Sequence, residues 1–422
     1  MLRFVQWLVS LQWPLRLVGF MFGGFNPWLE ENRRDPVPAY RRLRESEPIR
    51  RNRWQGTWVL SRYDDVAAVL RDPRFTTDRT GLLPFRLMRR SSRRHPDFVS
   101  LLDRNLLMLD GDEHRRVRGL VSKAFTPRRI EALRPRVETI VDELLDAVAA
   151  RGEMELVRDL AHPLPVIVIA ELLGVPLEDR GRFRGWSSDV VQILDLLSGR
   201  DGLRPAWRGA DGLAGYFRGL LAERRRAPKD DLLSAMLAAE EDGRALDEAD
   251  LLALCALLLA AGHETTTNLI GNAVLALLRH PHERKRLAEA PGLMPGAVEE
   301  FLRFDSPVQV TDRVITEDLD FRGRRFHRGQ LAVCLIGAAN HDPARFPEPD
   351  RLDVTRGDRG HLAFGLGPHV CLGAPLARLE AEVALAALLR RFPTFTGPTE
   401  PPGRRASVVL RGPTALPLSL HP

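Results

Sequence analysis

The 422-residue sequence is poor in cysteine, with three in the whole chain. Cys255 and Cys334 each lie alone in an apolar run, and Cys371 lies alone in a glycine-rich one. Because no two of them form a C-x-x-C pair, the sequence does not favour a disulfide scaffold, and a zinc site lacks its usual paired ligands. Unpaired thiols are typical of a reducing compartment, so we expect a cytoplasmic protein.

Linkers, low-complexity tracts and internal repeats are also missing. Hydrophobic residues make up 44% of the chain and charged residues 28%, which is ordinary for a globular protein. Length alone would suggest about three domains, but nothing in the sequence marks a boundary between them. We therefore expect residues 29–422 to form one large, mainly α-helical domain with small β-sheets.

Residues 1–28 are unusually apolar, yet they lack the uninterrupted run of about 18 to 20 apolar residues that crosses a bilayer. They also lack the small-residue cleavage site of a signal peptide. Arg3, Gln6 and Ser10 would share one face of a helix whose other faces are apolar, which is typical of a helix lying in a membrane interface. The alternative is an extension that packs on the rest of the protein, and the pattern leaves both open.

The chain is basic, with a net charge of +6 and an isoelectric point of about 9.7. Basic chains often bind nucleic acid, but no recognised nucleic-acid motif supports that function here. An acidic protein partner is the better use of a basic surface, and we expect part of that surface in the run Asp112–Ile130. Five cations of the run have no obvious buried acceptor: Arg115, Arg116, Lys123, Arg128 and Arg129.

What the sequence does contain is a glycine-rich segment around the third cysteine, His361–Glu380, HLAFGLGPHVCLGAPLARLE. The glycines let the backbone turn tightly and approach a flat, bulky group. A helical pattern follows directly, so the Cys371 thiol precedes a helix N-terminus, whose positive dipole end favours the thiolate that binds metals. Three interpretations stay open on these residues: an axial ligand of a haem iron, a zinc ligand, or a free buried cysteine in a turn.

A second informative stretch is Leu251–Ala261, one of the most apolar runs of the chain. Asp247 is expected to cap a helix there, with Asp250 three residues on. The helical pattern ends before Pro281, which makes the helix roughly 45–50 Å long. Because the apolar run itself is too short to cross a bilayer, we expect a buried central helix.

Polar residues interrupt this helix in its middle, in the segment Ala261–Thr267, AGHETTT. A glycine, an acid and three threonines cost stability in a buried helix, and such local violations tend to mark function. Gly262 permits a local opening of the helix, Thr265 can hydrogen-bond a small ligand in it, and Glu264 can relay protons. The structural alternative is a threonine bonded back to its own helix, beside a glutamate in an ion pair.

The segment Phe364–Gly373 resembles the haem-binding loop of the cytochrome P450 family, and AGHET resembles that family's AG-x-[DE]-T motif. The segments Glu300–Arg303 and Pro349–Leu352 are similar to its E-x-x-R and P-x-R-[FL] elements, in the right order. The resemblance covers roughly residues 35–420. It implies the mainly α cytochrome P450 fold and haem b as the cofactor.

The resemblance also implies roles for individual residues. Cys371 would be the axial ligand of the haem iron, and Glu264 and Thr265 would be the acid–alcohol pair that handles protons. Eight residues would contact the haem: His114, Arg118, Arg313 and His369 at its propionates, and Ala261, Phe364, Gly365 and Gly373 elsewhere. Glu300, Arg303 and Arg351 would form a buried structural group, and Val308, Gln309, Val310 and Thr311 would partly face the substrate pocket.

By the same resemblance, we expect a haem-thiolate monooxygenase that hydroxylates or epoxidises a small apolar substrate with O2. Fatty acids, terpenoids, steroids and polyketides are the expected substrate classes. Nothing in the sequence resembles a G-x-G-x-x-G turn after a strand, so electrons would come from an external ferredoxin and its reductase. One alternative is a peroxygenase driven by hydrogen peroxide, although family members of that kind lack the acid–alcohol pair. The other is a haem protein that binds ligands without catalysis.

Five stretches outside these motifs have expected local structures. Arg50–Arg62 predicts a β-hairpin, and Asp64–Arg71 predicts a short capped helix. Thr77–Leu107 is expected to be an irregular loop, which the resemblance puts over the substrate pocket. Ser306–Thr316 predicts a strand, and Val408–Leu418 predicts a β-hairpin dipping toward the same pocket.

Overall fold

A computed structural model describes residues 29–52, 56–191, 203–241, 243–401, 403–404 and 407–421. The apolar extension expected over residues 1–28 lies outside the described residues. The division of the chain into that extension and one following domain stays a prediction.

Helices make up most of the described chain. In chain order they are α1 (Glu30–Arg34), α2 (Val37–Ser46), α3 (Tyr63–Arg71), α4 (Leu83–Ser91), α5 (Pro96–Asp103), α6 (Gly111–Ala124), α7 (Pro127–Glu131), α8 (Arg134–Ala149), α9 (Pro163–Leu172), α10 (Arg180–Val191), α11 (Arg204–Arg226), α12 (Leu232–Ala238), α13 (Glu248–Arg279), α14 (Pro281–Glu289), α15 (Met294–Phe304), α16 (Ile336–Ala339) and α17 (Ala374–Arg391).

The strands are short. In chain order they are β1 (Ile49–Asn52), β2 (Thr57–Leu60), β3 (Phe75–Thr76), β4 (Glu153–Glu155), β5 (Glu240–Glu241), β6 (Arg244–Ala245), β7 (Val310–Ile315), β8 (Leu319–Phe321), β9 (Arg324–Phe326), β10 (Leu331–Leu335), β11 (Thr394–Thr396), β12 (Gly403–Arg404), β13 (Pro413–Ala415) and β14 (Pro417–His421). The largest sheet has the order β1-β2-β10-β7-β3, and a smaller one has the order β11-β14-β4.

The largest sheet confirms two expectations. β1 and β2 form the expected antiparallel hairpin, with Ile49 opposite Leu60. The strand expected over Ser306–Thr316 is β7, which runs antiparallel to β10 with Thr311 opposite Cys334. Because β7 also pairs with β3 on its other edge, it is an internal strand whose two faces meet different parts of the protein.

The central helix is α13, as expected from its apolar pattern. The side chain of Asp247 caps it by accepting a hydrogen bond from the N–H of Asp250 at 2.7 Å. With 32 residues it is about 48 Å long, and it ends just before Pro281. By length and composition alone it could cross a membrane, but 61% of its most apolar stretch is buried inside the protein, which is the situation of a core helix.

The expectation of an irregular loop over Thr77–Leu107 is wrong, because the segment contains α4 and α5. Pro84 and Pro96 lie in the first turns of these helices, where proline replaces an N–H that has no helical partner anyway. Met88 and Phe98 are buried against α11, and this packing gives the two short helices their stability.

Two further expectations need correction. The helix expected over Asp64–Arg71 is present as α3, but its N-terminus has no side-chain cap. Val408–Leu418 does not form a hairpin with itself: β13 pairs with β12, and β14 pairs with β4 and β11. Pro413 and Pro417 lack the N–H groups that such a hairpin would need.

The packing of α17 positions the segment around Cys371. This helix begins three residues after the cysteine and packs against α8, α13 and α15. Leu379, Ala384 and Leu388 are among its buried residues in the main hydrophobic core. The loop that carries Cys371 is therefore anchored at one end by a core helix.

Candidate active site

The loop around Cys371 has the tight turns that its glycines predicted. Gly365 and Gly367 have φ angles of +71° and +75°, in the region that favours glycine. A Cβ atom on Gly367 would lie 2.5 Å from the carbonyl oxygen of Leu70, so this position accepts only glycine without movement. The N–H of Cys371 donates to the carbonyl of Phe364 at 2.8 Å, which closes the loop. The cysteine is exposed in the protein alone and is not in a disulfide.

Opposing effects act on the Cys371 thiol. Although the residue is exposed overall, desolvation by the surrounding loop raises the pKa of its thiol above the ordinary value. The backbone N–H groups of Gly373 and Ala374, at the start of α17, and the positive charges of Arg118 and Arg378 lower that pKa. Burial is the larger effect, and these donors and charges offset part of it by stabilising the thiolate.

Two histidines predicted near the haem lie together beside this loop. The ring centroids of His114 and His369 are 3.9 Å apart. His114 is buried, and its Nε2 atom has no hydrogen-bond partner among the residues that the structure describes. Burial lowers the pKa of His114, and burial together with the charge of His114 lowers the pKa of His369 to about 4. A buried nitrogen without a partner costs free energy, so the position next to it suits a ligand with hydrogen-bonding atoms.

The two predicted arginines border the same loop. Arg118 donates to the carbonyl of Val370 at 2.6 Å. Arg313 is buried, and it donates to the carbonyl of Asp312 at 2.8 Å. In the part of the chain that the structure describes, neither guanidinium has a carboxylate ion-pair partner. Together with His114 Nε2, they form a donor set that fits the two carboxylates of a haem, with Cys371 available for its iron.

The polar segment of α13 shows both features of the structural alternative. The hydroxyl of Thr265 donates back to the carbonyl of Ala261 at 2.9 Å. Glu264 is buried, with its Oε1 atom 3.7 Å from Nε2 of His263. Ala261 is exposed although most of the surrounding helix is buried. A Cβ atom on Gly262 would meet only Ile169, at 3.9 Å. The helix therefore has a small open surface one turn before Thr265.

A comparison with known proteins identifies the family. A family profile described as Cytochrome P450 matches residues 205–290 and 292–416. Cytochrome P450 107B1 of Saccharopolyspora erythraea is 44% identical over 389 residues, which cover 90% of this chain and 93% of that protein. The chain belongs to the cytochrome P450 family. The expected fold, haem b as cofactor and monooxygenase activity are thereby confirmed.

Solved cytochrome P450 structures share the fold. PksS of the bacillaene polyketide synthase of Bacillus subtilis superposes with a TM-score of 0.86 at 38% identity, covering 94% of this chain and 100% of that one. P450BioI, in complex with an acyl carrier protein ligated to hexadec-9Z-enoic acid, gives a TM-score of 0.85 at 38% identity, covering 93% and 99%.

The buried structural group of this cytochrome P450 differs from the expected one in its third member. Glu300 and Arg303 are fully buried and form a bidentate pair with distances of 2.7 and 2.8 Å. The prediction that the Arg351 side chain joins them is wrong, because it is exposed and pairs with Glu348. Arg351 contributes its carbonyl to Arg303 instead, at 3.3 Å. A turn closed by the Arg351 N–H and the Glu348 carbonyl at 3.1 Å precedes it, and the surface carboxylates of Glu348 and Asp353 hold its guanidinium outside the core.

The second arginine beside Glu300 is Arg356, which sequence reasoning missed. Its Nε atom lies 3.1 Å from Glu300 Oε2, and its guanidinium donates to the carbonyls of Pro347 and Glu348. Arg356 lies outside the matched motif Pro349–Leu352, so the motif gave no signal for it.

The four predicted pocket residues fall on different surfaces. Val308 faces the expected site: it pairs with Leu410 and packs near Ala260 of α13. Thr311 lies on the same strand face as Arg313, whose Nη1 atom is 3.4 Å from its hydroxyl.

The prediction is wrong for Gln309 and Val310. Gln309 is buried and accepts a hydrogen bond from Tyr40 at 2.8 Å, and Val310 packs beside Tyr40 and Leu43. Successive residues of a strand point to opposite faces, so an internal strand such as β7 cannot direct all of its residues into one pocket.

The basic run on α6 and α7 is also more compensated than expected. The Nη2 atom of Arg116 lies 2.8 Å from the carboxylate of Asp250, which is almost fully buried. Arg129 pairs with Asp230, and Arg115 pairs with Asp112. The sequence pattern predicts Asp250 only as part of the helix cap. Its ion pair with Arg116 joins segments that are distant in sequence, so no local pattern indicates it.

Proposed function

We propose that the protein is a ferredoxin-dependent haem-thiolate monooxygenase whose haem is held by Cys371. The observation that carries this assignment is the convergence at one loop of an exposed thiol, an unpartnered buried imidazole and two guanidiniums without carboxylates. His114, Arg118, Arg313 and His369 would hold the haem carboxylates, and Phe364, Gly365 and Gly373 would shape the loop against the ring. The haem, when bound, supplies the activation of O2.

Proton handling is the proposed role of Glu264 and Thr265. The Thr265 hydroxyl, held by the Ala261 carbonyl, is at the open surface of α13. Glu264 is the residue before it in the chain, and its carboxyl can give or take a proton. The Thr265 hydroxyl would give its own proton at the Ala261–Gly262 opening and accept a replacement from the Glu264 carboxyl, so that the pair moves one proton. This pair favours the monooxygenase over the peroxygenase.

Electrons would arrive at the surface beside Cys371. Val370 is 40% exposed, and its carbonyl is held by Arg118 of α6. Arg115 and Lys123, also on α6, are exposed. An apolar residue next to the metal ligand, with cations around it, suits an acidic ferredoxin, because complementary charge accelerates such encounters.

The substrate would be apolar. Val308, Val409 and Leu410 pack beside Ala260 on the side of α13 that carries the polar segment. Among the similar proteins, PksS belongs to a polyketide synthase and P450BioI is bound to an acyl chain on a carrier protein. We therefore propose a fatty acyl or polyketide chain as substrate.

The apolar composition of residues 1–28 supports a separate proposal: a cytoplasmic enzyme that this segment brings into peripheral contact with a membrane.

Reconstitution with a ferredoxin and its reductase tests this function. The expected result is that substrate binding produces a low-spin to high-spin optical shift and that NADPH consumption yields hydroxylated or epoxidised product. Thr265→Ala should keep the optical shift but consume NADPH with little product. Equal turnover with hydrogen peroxide alone would favour the peroxygenase, and bound haem without product would favour a ligand-binding protein.

A further inference from the structure

A surface cleft of about 770 Å³ lies between α4 and α5. We call it the arginine cleft. Its lining residues are Thr80, Arg86, Arg89, Arg90, Arg93, Pro96, Val99, Ser100, Asp103 and Arg104. Half of these residues are arginines and only one is acidic, so the cleft has a strongly positive potential.

Most of that charge is not used within the protein. Arg89 pairs with Asp103 at 2.8 Å, and Arg104 reaches Asp250 at 3.2 Å. Within the described ranges, no ion pair involves the three remaining arginines of the cleft: Arg86, Arg90 and Arg93. Exposed cations without partners add little to the stability of the fold, so these three arginines are available to an anionic partner.

Apolar side chains are exposed on the same helix. Leu83 and Leu87, one helical turn apart on α4, are 66% and 49% exposed. On another face of α4, Phe85 and Met88 pack in the cluster with α11. The helix therefore has one apolar face that is packed and a second that is not. Exposed leucines beside arginines are the composition of a protein interface, in which an apolar centre is bordered by charge.

The arginine cleft is close to the candidate active site. Thr80 lines the cleft, and the hydroxyl of Thr77 is 3.3 Å from Nε2 of His369, two residues before Cys371. Three residues of extended chain span at most about 11 Å. Arg79 holds this short connection in place through its ion pair with Asp312 at 2.5 Å. A partner in the cleft would therefore lie beside the active site.

We propose that the arginine cleft docks an acidic carrier protein that presents the substrate as a tethered acyl chain. This proposal rests on the proposed function, because it requires an apolar chain to be the substrate. A concave cleft admits a helix or loop of a protein, whereas a flat lipid surface cannot enter it. Arg86 and Arg90 lie one helical turn apart on α4, and Arg93 lies just beyond its C-terminal end. The three cations are therefore spread over more than one turn, which suits a protein helix rather than one small anion.

Binding of the carrier protein is the direct test. The probe is a fluorescently labelled acyl carrier protein loaded with hexadec-9Z-enoic acid, titrated with the haem-loaded full-length enzyme and followed by anisotropy. The variant is Arg86→Glu/Arg90→Glu/Arg93→Glu. The account predicts at least about tenfold weaker binding of the loaded carrier and a flatter dependence on salt. The affinity for free hexadec-9Z-enoic acid, read from the optical spin shift, should stay unchanged.

A matched control separates the cleft from net charge. Arg322→Glu/Arg324→Glu/Arg325→Glu reverses three other exposed arginines, around β8 and β9, and should leave carrier binding within about twofold. The milder triple change of Arg86, Arg90 and Arg93 to glutamine should give an intermediate loss, which keeps the test valid if the glutamate variant folds poorly.

Four outcomes would overturn the proposal. The first is unchanged carrier binding in the variant, and the second is an equal loss of affinity for the free acid. The third and fourth leave carrier binding intact: the variant loses reduction by ferredoxin, or it loses binding to phosphatidylglycerol vesicles. The last two would assign the cleft to the electron donor or to a lipid surface. Because anisotropy needs no turnover, failure of the docking proposal is distinguishable from failure of the enzyme to oxidise any substrate.

Discussion

Arg378 and Glu299 form an ion pair behind the loop that carries Cys371. The Nε and Nη2 atoms of Arg378 donate to the two carboxylate oxygens of Glu299 at 2.7 and 3.2 Å. The Arg378 guanidinium lies 4.5 Å from the ring centroid of Phe364. His361 contacts the same carboxylate at 2.8 Å, while its Nδ1 atom accepts from the N–H of Ala363. One buried carboxylate thus connects both ends of the loop to α15.

Replacing Glu299 with glutamine should loosen this loop. Burial raises the pKa of Glu299, but the hydrogen bonds from His361 and Arg378 outweigh it and hold the pKa at about 2. We expect Glu299→Gln to lower the free energy of unfolding by about 2 kcal/mol and to weaken haem retention. Urea unfolding and haem release to apomyoglobin measure these effects.

The pH dependence of the same variant has a definite sign. The pKa of Glu299 is lower in the folded protein than the ordinary value of 4.5, so its contribution is present above that pH and is lost as the pH falls toward 2. Glu382→Gln is the control. Glu382 lies on α17 and pairs with Arg134 of α8 in a partly exposed ion pair, so this change should alter the free energy of unfolding by less than about 0.5 kcal/mol. Equal losses in the two variants would contradict the role given to Glu299.

Glu380 should make stability depend on pH in the opposite direction. Glu380 is buried on α17, and burial raises its pKa to about 8 although the Thr266 hydroxyl lowers it. Its Oε1 atom has no hydrogen-bond partner within the described part of the chain. The folded protein therefore keeps a proton that the unfolded chain releases near pH 4 to 5, and stability falls as pH rises toward 8, by at most about 1.4 kcal/mol per unit. Glu380→Gln should flatten this slope in urea unfolding between pH 5 and 8, and a slope identical to that of the parent protein would refute the assignment.

The two arginines near Glu300 should differ in their effect on stability. Arg356→Gln removes a partner of a buried carboxylate and should cost about 1–3 kcal/mol, whereas Arg351→Gln removes an exposed side chain and should cost less than about 0.5 kcal/mol. Chemical denaturation of both variants gives the comparison. A larger loss for Arg351→Gln would restore the grouping that the sequence motif implied.

Gly367 should be among the glycines least tolerant of change. An alanine there would adopt a positive φ and place its Cβ atom 2.5 Å from the Leu70 carbonyl, so we expect a loss of more than about 2 kcal/mol. Gly215→Ala is the control: the position lies inside α11 with open space around it, and alanine should stabilise it by about 0.5–1 kcal/mol. Thermal unfolding of the two variants should therefore shift in opposite directions, and a shared direction would contradict the geometry.

Local patterns were sufficient for the elements whose stability is local. The cap at Asp247, the apolar run of α13 and the β1–β2 hairpin follow from residues adjacent in sequence. Local patterns did not predict the helices α4 and α5, because a proline is compatible with a loop and with the first turn of a helix. Packing against α11 selects the helix. The wrong prediction for Gln309 and Val310 has a similar cause, because their environment depends on the distant elements that pack beside β7.

The site could be located from its motifs but not completed. Cys371, His114, Arg118, Arg313 and His369 lie around one loop, and their roles in haem binding stay a prediction. Side chains that act through distant contacts gave no local signal: Glu299, Arg356 and Arg378. The partners of Glu299 lie 62 and 79 residues away, and Arg356 reaches Glu300 from a separate loop. A spacing rule within one helix cannot find such pairs.

The central claim, that Cys371 holds the haem iron as a thiolate, is tested most directly by the carbon monoxide difference spectrum of the reduced protein. The account predicts the absorption band of thiolate-ligated haem in the parent protein and in Cys255→Ser and Cys334→Ser, whose thiols are fully buried elsewhere. Cys371→Ser should lose that band while circular dichroism still reports a folded helical protein. A thiolate band that survives in Cys371→Ser, or one that disappears in either control, would contradict the assignment.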